Sequence, residues 1–202
     1  ATVMVGLAAA CITVSIGVTV GSLAGYFGGW VDSLLSRLTE LFQVLPALLF
    51  AMVLVTLFQP SLGVVIVAIG MVSWTGTARL ARAEFMRLRH LEYVSAARAM
   101  GARHLRLMLR EILPNVAAPI IVLGSLDIAG AILIEASLSF FGLGEPNLVS
   151  WGGMLNDAQQ YLRSAWWMSA FAGLAIALTV WAFNLLGDAL NDALNPRTGA
   201  HP

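Results

Sequence analysis

The sequence predicts an all-α protein, a polytopic bundle of membrane-spanning helices. Hydrophobic residues make up 59% of its 202 positions and charged residues only 11%, far below the roughly 25% typical of soluble domains. Two long stretches, residues 1–31 and 41–78, carry no charged side chain, whereas eight of the eleven basic residues lie between Arg79 and Arg110. The charged stretch must therefore lie in water between membrane spans.

The first predicted span covers residues 3–26, because about 20 apolar residues suffice for a helix to cross the bilayer. A cleavable signal peptide is the competing interpretation, but it would have a basic start and a shorter apolar core. Gly17, Gly21 and Gly25 recur every four residues. They share one helix face and would permit close approach of a neighbouring helix.

Two further spans are predicted at about residues 41–58 and 62–79, because the charge-free stretch is too long for one span and long enough for two. The turn-forming sequence QPSLG at 59–63 separates them. A short polar link, Gly28 to Glu40, precedes the first of these spans. Pro46 lies near the start of that span, where it is tolerated or introduces a kink.

The last two spans are predicted at about residues 112–136 and 166–187, with a charged loop at 80–111 and a turn-rich loop at 137–165. Loops rich in arginine stay in the cytoplasm, so the 80–111 loop and the C-terminus face the cytoplasm and the 137–165 loop faces outward. Residue 1 would then start on the outer side. We therefore expect five spans here and one further N-terminal span before them.

Several kinds of site are excluded by composition. The chain contains no lysine, so it cannot hold ATP with a GxxxxGK[ST] loop. His90, His104 and His201 have no metal-ligand spacing with one another or with a cysteine. Cys11 stands alone and cannot form an intrachain disulfide.

The charged loop contains a predicted helix from Glu92 to Met100, rich in alanine and stopped by Gly101. Tyr93, Ala97 and Met100 form an apolar stripe at helical spacing. Such a helix suits insertion into a groove on another protein, and an amphipathic helix on anionic lipid is the open alternative. The arginines that follow are predicted to reach lipid headgroups; they are Arg103, Arg106 and Arg110.

This helix also carries a family resemblance. SAARAMG at 95–101, followed by LPN at 113–115, resembles the EAA signature of ABC importer permeases, and more narrowly the permease subunits of dipeptide, oligopeptide and nickel importers. The other stretches with this resemblance are AGYFGG at 24–29 with Asp32, EASLSFFGLG at 135–144, SWGGML at 150–155, NLLGD at 184–188 and NPR at 195–197. Ser95 departs from the signature glutamate and Glu111 from a later isoleucine, so a salt bridge from position 95 cannot be carried over.

The resemblance implies the fold of a type I ABC importer permease in a prokaryotic inner membrane. The implied partners are a second, similar permease, two cytoplasmic ATPase subunits that hold ATP and Mg²⁺, and an extracytoplasmic binding protein. No cofactor, catalytic residue or nucleic-acid partner is implied for this chain. The residues expected to couple it to the ATPases are Tyr93, Ser95, Ala96, Ala97, Arg98, Met100 and Gly101.

Four other residues are candidate site residues. Asp127 lies near the centre of the fourth predicted span, where an ionised carboxylate costs about 2.5–3.5 kcal/mol. It would contact a peptide amine or cation in the pathway, or make a polar contact with the partner subunit. Glu135 would brace the outer loop. Trp151 and Met154 would contact the binding protein or cover the ends of the spans.

The expected function is ATP-driven, binding-protein-dependent import of di- or oligopeptides, by a chain that is not itself an enzyme. Nickel or another small solute is the alternative substrate for the same architecture. An ion-coupled secondary transporter in which Asp127 titrates is a second alternative, although it leaves the arginine-rich helix without a role. A membrane scaffold without transport is a third.

Overall fold

This computed structural model describes residues 1–194, which form a helical structure without β-strands in that range. The α-helices, in chain order, are α1 Thr2–Phe27, α2 Gly29–Val44, α3 Ala47–Phe58, α4 Leu62–Ser73, α5 Thr75–Leu88, α6 Glu92–Ala99, α7 His104–Arg106, α8 Leu113–Phe140, α9 Trp151–Ala158 and α10 Trp166–Leu194. The all-α prediction is confirmed. The tail motif at 195–197 and His201 lie outside the described residues.

Three helical stretches could cross a membrane by length and composition: Thr2–Phe27, His104–Phe140 and Trp166–Leu194. Within the described chain this number rises to five if each of two bent helix pairs counts as one span. The pairs are α2 with α3 and α4 with α5. The five-span interpretation of the sequence therefore corresponds to counting both bent pairs as spans.

The predicted span at 41–58 was wrong as a single element, and so was the polar link at Gly28 to Glu40. The link is helical, because α2 runs from Gly29 to Val44, and α2 and α3 meet at an angle of 87°. Leu45, which precedes Pro46, adopts extended backbone with ψ 127°, as the residue before a proline prefers. The proline therefore ends α2 rather than bending one continuous span.

The predicted span at 62–79 was also wrong in its length and shape. It comprises α4 and α5, bent by 45° at Trp74, and α5 continues to Leu88. The charged loop at 80–111 is accordingly shorter than predicted. Its non-helical parts are residues 89–91 and 100–103.

The glycine face of α1 packs directly on α5, which confirms the predicted close approach. A Cβ atom at Gly17 would lie 2.6 Å from the Cβ of Thr77, and one at Gly25 would lie 2.5 Å from the backbone oxygen of Arg82. At Gly21 it would overlap a backbone carbonyl of α5. Since side chains at these positions would push the helices apart, glycine is what lets α1 and α5 pack as one unit.

Helix α2 is fastened to α5 by an ion pair. Nε and Nη2 of Arg82 donate to the two carboxylate oxygens of Asp32, with 2.7 Å between Nη2 and Oδ2. This bidentate geometry suits an arginine–carboxylate pair. Asp32 belongs to the stretch at 24–32 that carries the family resemblance, so the ion pair gives this residue a structural role.

The helices at the fourth and fifth predicted spans are longer than the charge pattern indicated. The helix that contains residues 112–136 begins at His104, passes through a π-helical segment, Leu107–Ile112, and ends at Phe140. In the loop predicted at 137–165, α9 occupies Trp151–Ala158. The helix predicted at 166–187 is α10, which continues to Leu194.

Candidate functional site

Helix α6 and the two residues that end it, Glu92 to Gly101, form the candidate site, named here the α6 segment. The helix starts after Leu91, whose carbonyl oxygen accepts a hydrogen bond from the backbone N–H of Ser95 at 3.1 Å. Glu92 lies in the first turn, where a negative charge interacts favourably with the helix dipole. Three alanines in its second half favour the helix intrinsically.

The segment ends with a glycine cap. The N–H of Gly101 donates to the carbonyl of Arg98 at 3.0 Å, and the N–H of Ala102 donates to that of Ala97 at 3.1 Å. Gly101 has φ +83°. Together these features make a Schellman motif, in which glycine is favoured because it has no Cβ to clash at positive φ. A Cβ at Gly101 would have no neighbour within 4 Å among the described residues.

Val94 anchors the segment to the rest of the chain. Its side chain is fully buried, and it packs in an apolar cluster drawn from α1, α5 and the start of the α7–α8 helix. The other buried members of this cluster are Tyr26, Phe85, Leu88, Leu107, Met108, Ile112, Val116 and Ile120. Sequence reasoning missed Val94, although it is the one large aliphatic residue between Glu92 and Ala99.

The sequence-predicted coupling residues lie on the outside of this anchor. Ala97 is half-buried, whereas the others are exposed, and Met100 is 82% exposed. The exposed members of the set are Tyr93, Ser95, Ala96, Arg98, Met100 and Gly101. The predicted apolar stripe is thus open to a partner at both ends, and Val94 supplies the inward contact.

A cleft of about 320 Å³ adjoins the glycine cap. It is lined by Ala97, Met100, Gly101, Ala102, Arg106 and Glu111. Apolar and backbone surface from the α6 segment thus faces two charged side chains from the helix that follows. A partner side chain could enter here without displacing any residue of this chain.

The LPN sequence at 113–115 connects α8 to the α6 segment. The Asn115 side chain donates from Nδ2 to the carbonyl of Glu111 at 2.6 Å and lies 3.4 Å from the hydroxyl of Tyr93. That hydroxyl also lies 3.4 Å from the Glu111 carbonyl oxygen. Tyr93 therefore lies against the start of α8 while its side chain stays 39% exposed.

Asp127 has a partner within the chain. Thr77 of α5, which is fully buried, donates from Oγ1 to Oδ2 of Asp127 at 2.7 Å. Thr77 also contacts the glycine face of α1 at Gly17. Asp127 is therefore placed where α1, α5 and α8 meet, by a contact that the sequence alone did not reveal.

Glu135 and the loop that follows α8 form a second, separate cluster. Glu135 is 3% exposed, and its Oε1 accepts a hydrogen bond from Ser139 at 2.8 Å. Glu145 accepts one from the backbone N–H of Leu62 at 3.0 Å, which ties the loop to the start of α4. A cavity of about 340 Å³ with Met154 and Glu145 in its lining opens beside this contact.

Trp151 is packed rather than free. It is half-buried against an apolar cluster of α8 and α10 that includes Ile132 and Ile176. Its backbone N–H donates to Thr2 Oγ1 at 3.3 Å. Met154, by contrast, is 41% exposed. The structure thus separates these two candidate residues, which the sequence treated alike.

Residues 17–200 match the protein family described as "Binding-protein-dependent transport system inner membrane component". The chain belongs to this family. Its membership agrees with the helices that are long and apolar enough to cross a membrane.

Among curated relatives of this transport family, the chain is 42% identical to the dipeptide transport system permease protein DppC of Bacillus subtilis over 195 residues, 96% of the chain and 61% of that protein. It is 39% identical to the oligopeptide transport system permease protein OppC of Haemophilus influenzae, over 96% of the chain and 63% of that protein. The chain thus spans less than two thirds of the length of these relatives.

Solved structures of transport proteins share the fold. A chain of the MetNI methionine ABC transporter, in an inward-facing conformation, aligns with a TM-score of 0.76 over 96% of this chain and 93% of that chain, at 16% identity. An amino acid ABC transporter with histidines aligns with a TM-score of 0.67 over 96% and 90%, at 15% identity. The predicted ABC importer permease fold is therefore confirmed.

Proposed function

We propose that this chain is the transmembrane subunit of an ATP-driven, binding-protein-dependent importer of di- or oligopeptides. The observation that carries the proposal is its 42% identity, over 96% of the chain, to a dipeptide transport system permease. Family membership supports transport in general. The peptide substrate is supported by the names of the relatives.

In this proposal the chain forms half of the translocation pathway, with a second, similar permease as the other half. Two ATPase subunits, which hold ATP and Mg²⁺, contact the α6 segments in the cytoplasm, and an external binding protein delivers the peptide. The clustered arginines support a cytoplasmic position for the α6 segment. The outer loop and α9 are then on the opposite side.

The α6 segment is the proposed contact with the ATPases because its inward and outward sides have different roles. Val94 holds it to the chain, while Met100 and Gly101 present open surface beside a cleft of about 320 Å³. An amphipathic or apolar helix in a groove is a common docking mode. When the ATPases close on ATP, movement of this segment would shift the bundle between two global states.

The remaining candidate residues receive more specific roles. Asp127, fixed by Thr77, braces the junction of α1, α5 and α8 next to the pathway. Glu135 braces the outer end of α8 through Ser139. Met154 contacts the binding protein beside its 340 Å³ cavity, and Trp151 covers the ends of α8 and α10.

Reconstitution tests the proposal. The full-length permease would be placed in proteoliposomes with its cognate second permease, ATPases and binding protein, and uptake of labelled dialanine, tetraalanine and Ni²⁺ would be measured. We expect peptide uptake that requires ATP and the binding protein. Uptake of Ni²⁺ with no peptide uptake would refute the substrate class, and uptake driven by a proton gradient without ATP would refute the mechanism.

A further inference from the structure

The end of α1 carries a sequence, AGYFGG at 24–29, that docking of the α6 segment does not explain. This stretch lies next to the α6 segment in space, although about 65 to 80 positions separate the contacting residues along the chain. Two polar contacts connect the stretch to residues that flank the α6 segment, one on each side. The residues that make these contacts point to a role for α1.

The first contact precedes α6. Arg89 lies in the non-helical link between α5 and α6, and its Nη1 donates to the carbonyls of Gly25 at 3.0 Å and Tyr26 at 3.1 Å. The last carbonyls of a helix lack donors within the helix and attract positive charge. Gly28 allows this approach, because it has φ +67° and a Cβ there would lie 2.7 Å from Nη1.

The second contact follows α6. The Tyr26 hydroxyl is hydrogen-bonded to Nδ1 of His104 at 2.9 Å, and the two rings lie edge to face with centroids 5.7 Å apart. Tyr26 is 6% exposed. His104 begins the helix that leads into α8. The same residue of α1 therefore takes part in contacts on both sides of the α6 segment.

We infer that Arg89, Tyr26 and His104 form a clamp, the α1 clamp, which transmits movement of the α6 segment to α1. Residues 89–91 and 100–103 are non-helical, so the covalent links to α5 and α7 can bend. The clamp holds both flanks of the segment at the end of a 26-residue helix, and within the segment Val94 packs in the same cluster as Tyr26. Because the glycine face joins α1 to α5, the two helices then move together. This inference rests on the proposed function of the α6 segment.

The test removes single polar contacts of the clamp and retains the packing of the side chains that make them. Tyr26→Phe retains the buried ring and deletes the hydroxyl, and Tyr161→Phe, at an exposed site in the outer loop, is the matched control. The reconstituted complex would be assayed for ATPase co-purification, basal ATP hydrolysis, and hydrolysis stimulated by binding protein loaded with dialanine. For Tyr26→Phe we expect the first two unchanged and stimulation lowered about fivefold, the lower end of typical coupling between sites.

A conservative and a disruptive substitution are compared at each position. This comparison distinguishes a positioning role from a general loss of structure. His104→Asn places an amide where Nδ1 lies and should retain stimulation, whereas His104→Ala should lose it. Arg89→Lys keeps a cation for the α1 carbonyls and should retain more stimulation than Arg89→Gln. A purely structural role would instead lower co-purification and basal hydrolysis together with stimulation.

The outcomes distinguish the clamp from the proposed function. If Tyr26→Phe, His104→Ala and Arg89→Gln all keep full stimulation while Gly101→Val weakens ATPase association, the clamp is wrong and the docking of α6 stands. If the unchanged complex shows no ATPase association or no stimulation by loaded binding protein, the proposed function is wrong and the inference falls with it.

Discussion

The glycine caps that end α6 and α8 have the same geometry, but the residues around them differ in exposure. Gly101 and Gly142 both have positive φ, +83° and +78°, and both belong to a Schellman motif. After Gly142 the chain returns to the core at once, since Leu143 packs against the cluster that contains Leu138. Ala102, which follows Gly101, likewise packs against the cluster that contains Val94. The residues before the two glycines differ in exposure, with Met100 82% exposed and Phe141 55% exposed.

The contacts beyond each cap deepen this contrast. In the outer loop, the Asn156 side chain donates to the carbonyl of Phe140 at 2.5 Å, and a Cβ at Gly152 would overlap the backbone of Ala136. At both cap glycines, Gly101 and Gly142, a Cβ would find no neighbour within 4 Å among the described residues. After α8, the same local motif is therefore followed by a loop that packs against the helix. After α6 it leaves Met100 exposed.

The largest expected effect comes from substituting the two caps. Valine at positive φ is strained, by about 1–2 kcal/mol, in both Gly101→Val and Gly142→Val. Because only the first lies on the proposed docking surface, Gly101→Val should weaken ATPase association about tenfold, measured by titration in detergent. Gly142→Val is the matched control, with the same strain and normal association. Equal losses from both variants would contradict the assignment of the docking surface to the α6 segment.

A second variant disturbs the packing of α9 on α8. Gly152→Ala adds a methyl group that overlaps the Ala136 carbonyl, so it should lower the free energy of unfolding by about 1–3 kcal/mol, as overpacking does. Thermal unfolding of the detergent-solubilised chain would measure this. Gly130→Ala is the control, since its Cβ has open space within the described chain. A neutral Gly152→Ala would show that α9 is not packed on α8 as described.

The smallest expected effect on partner binding concerns the inward contact, because Val94→Ala changes packing beneath the α6 segment and leaves its exposed surface intact. Val94→Ala deletes about two buried methylene equivalents, worth about 1.6 kcal/mol, from the cluster under the α6 segment. We expect faster amide hydrogen exchange in residues 92–101 with little change in α9. Ala96→Ser, on the exposed side of α6, is the control. Equal exchange in Val94→Ala and the unchanged chain would mean that Val94 does not anchor the segment.

Much of the fold could be predicted from the sequence, because the transfer of apolar side chains from water to lipid dominates the formation of this fold. Long charge-free runs had to be helical, since a lipid-exposed backbone must satisfy its own hydrogen bonds. The glycine spacing in α1 likewise predicted a close helix contact. Local chemistry also predicted where α6 ends, because Gly101 relieves the strain of positive φ.

The site was predicted in part. Residues 93–101 were identified through a local motif and its resemblance, and most of them are exposed as docking requires. The helical stripe could not show which residue faces inward, because an eight-residue helix has few turns to define a face. The link at Gly28 to Glu40 was misread because its polar residues obscured leucines at helical spacing.

The sequence by itself determined the helical membrane architecture, the charged excursion and the glycine cap of α6, because each depends on composition or on residues close together in the chain. Only the tertiary structure decided that Val94 is the anchor, that Thr77 holds Asp127, and that α1 reaches both sides of the α6 segment. The Thr77–Asp127 and Tyr26–His104 hydrogen bonds join residues 50 and 78 positions apart. Hydrogen bonding and packing over such separations depend on how the helices assemble, which no local pattern encodes.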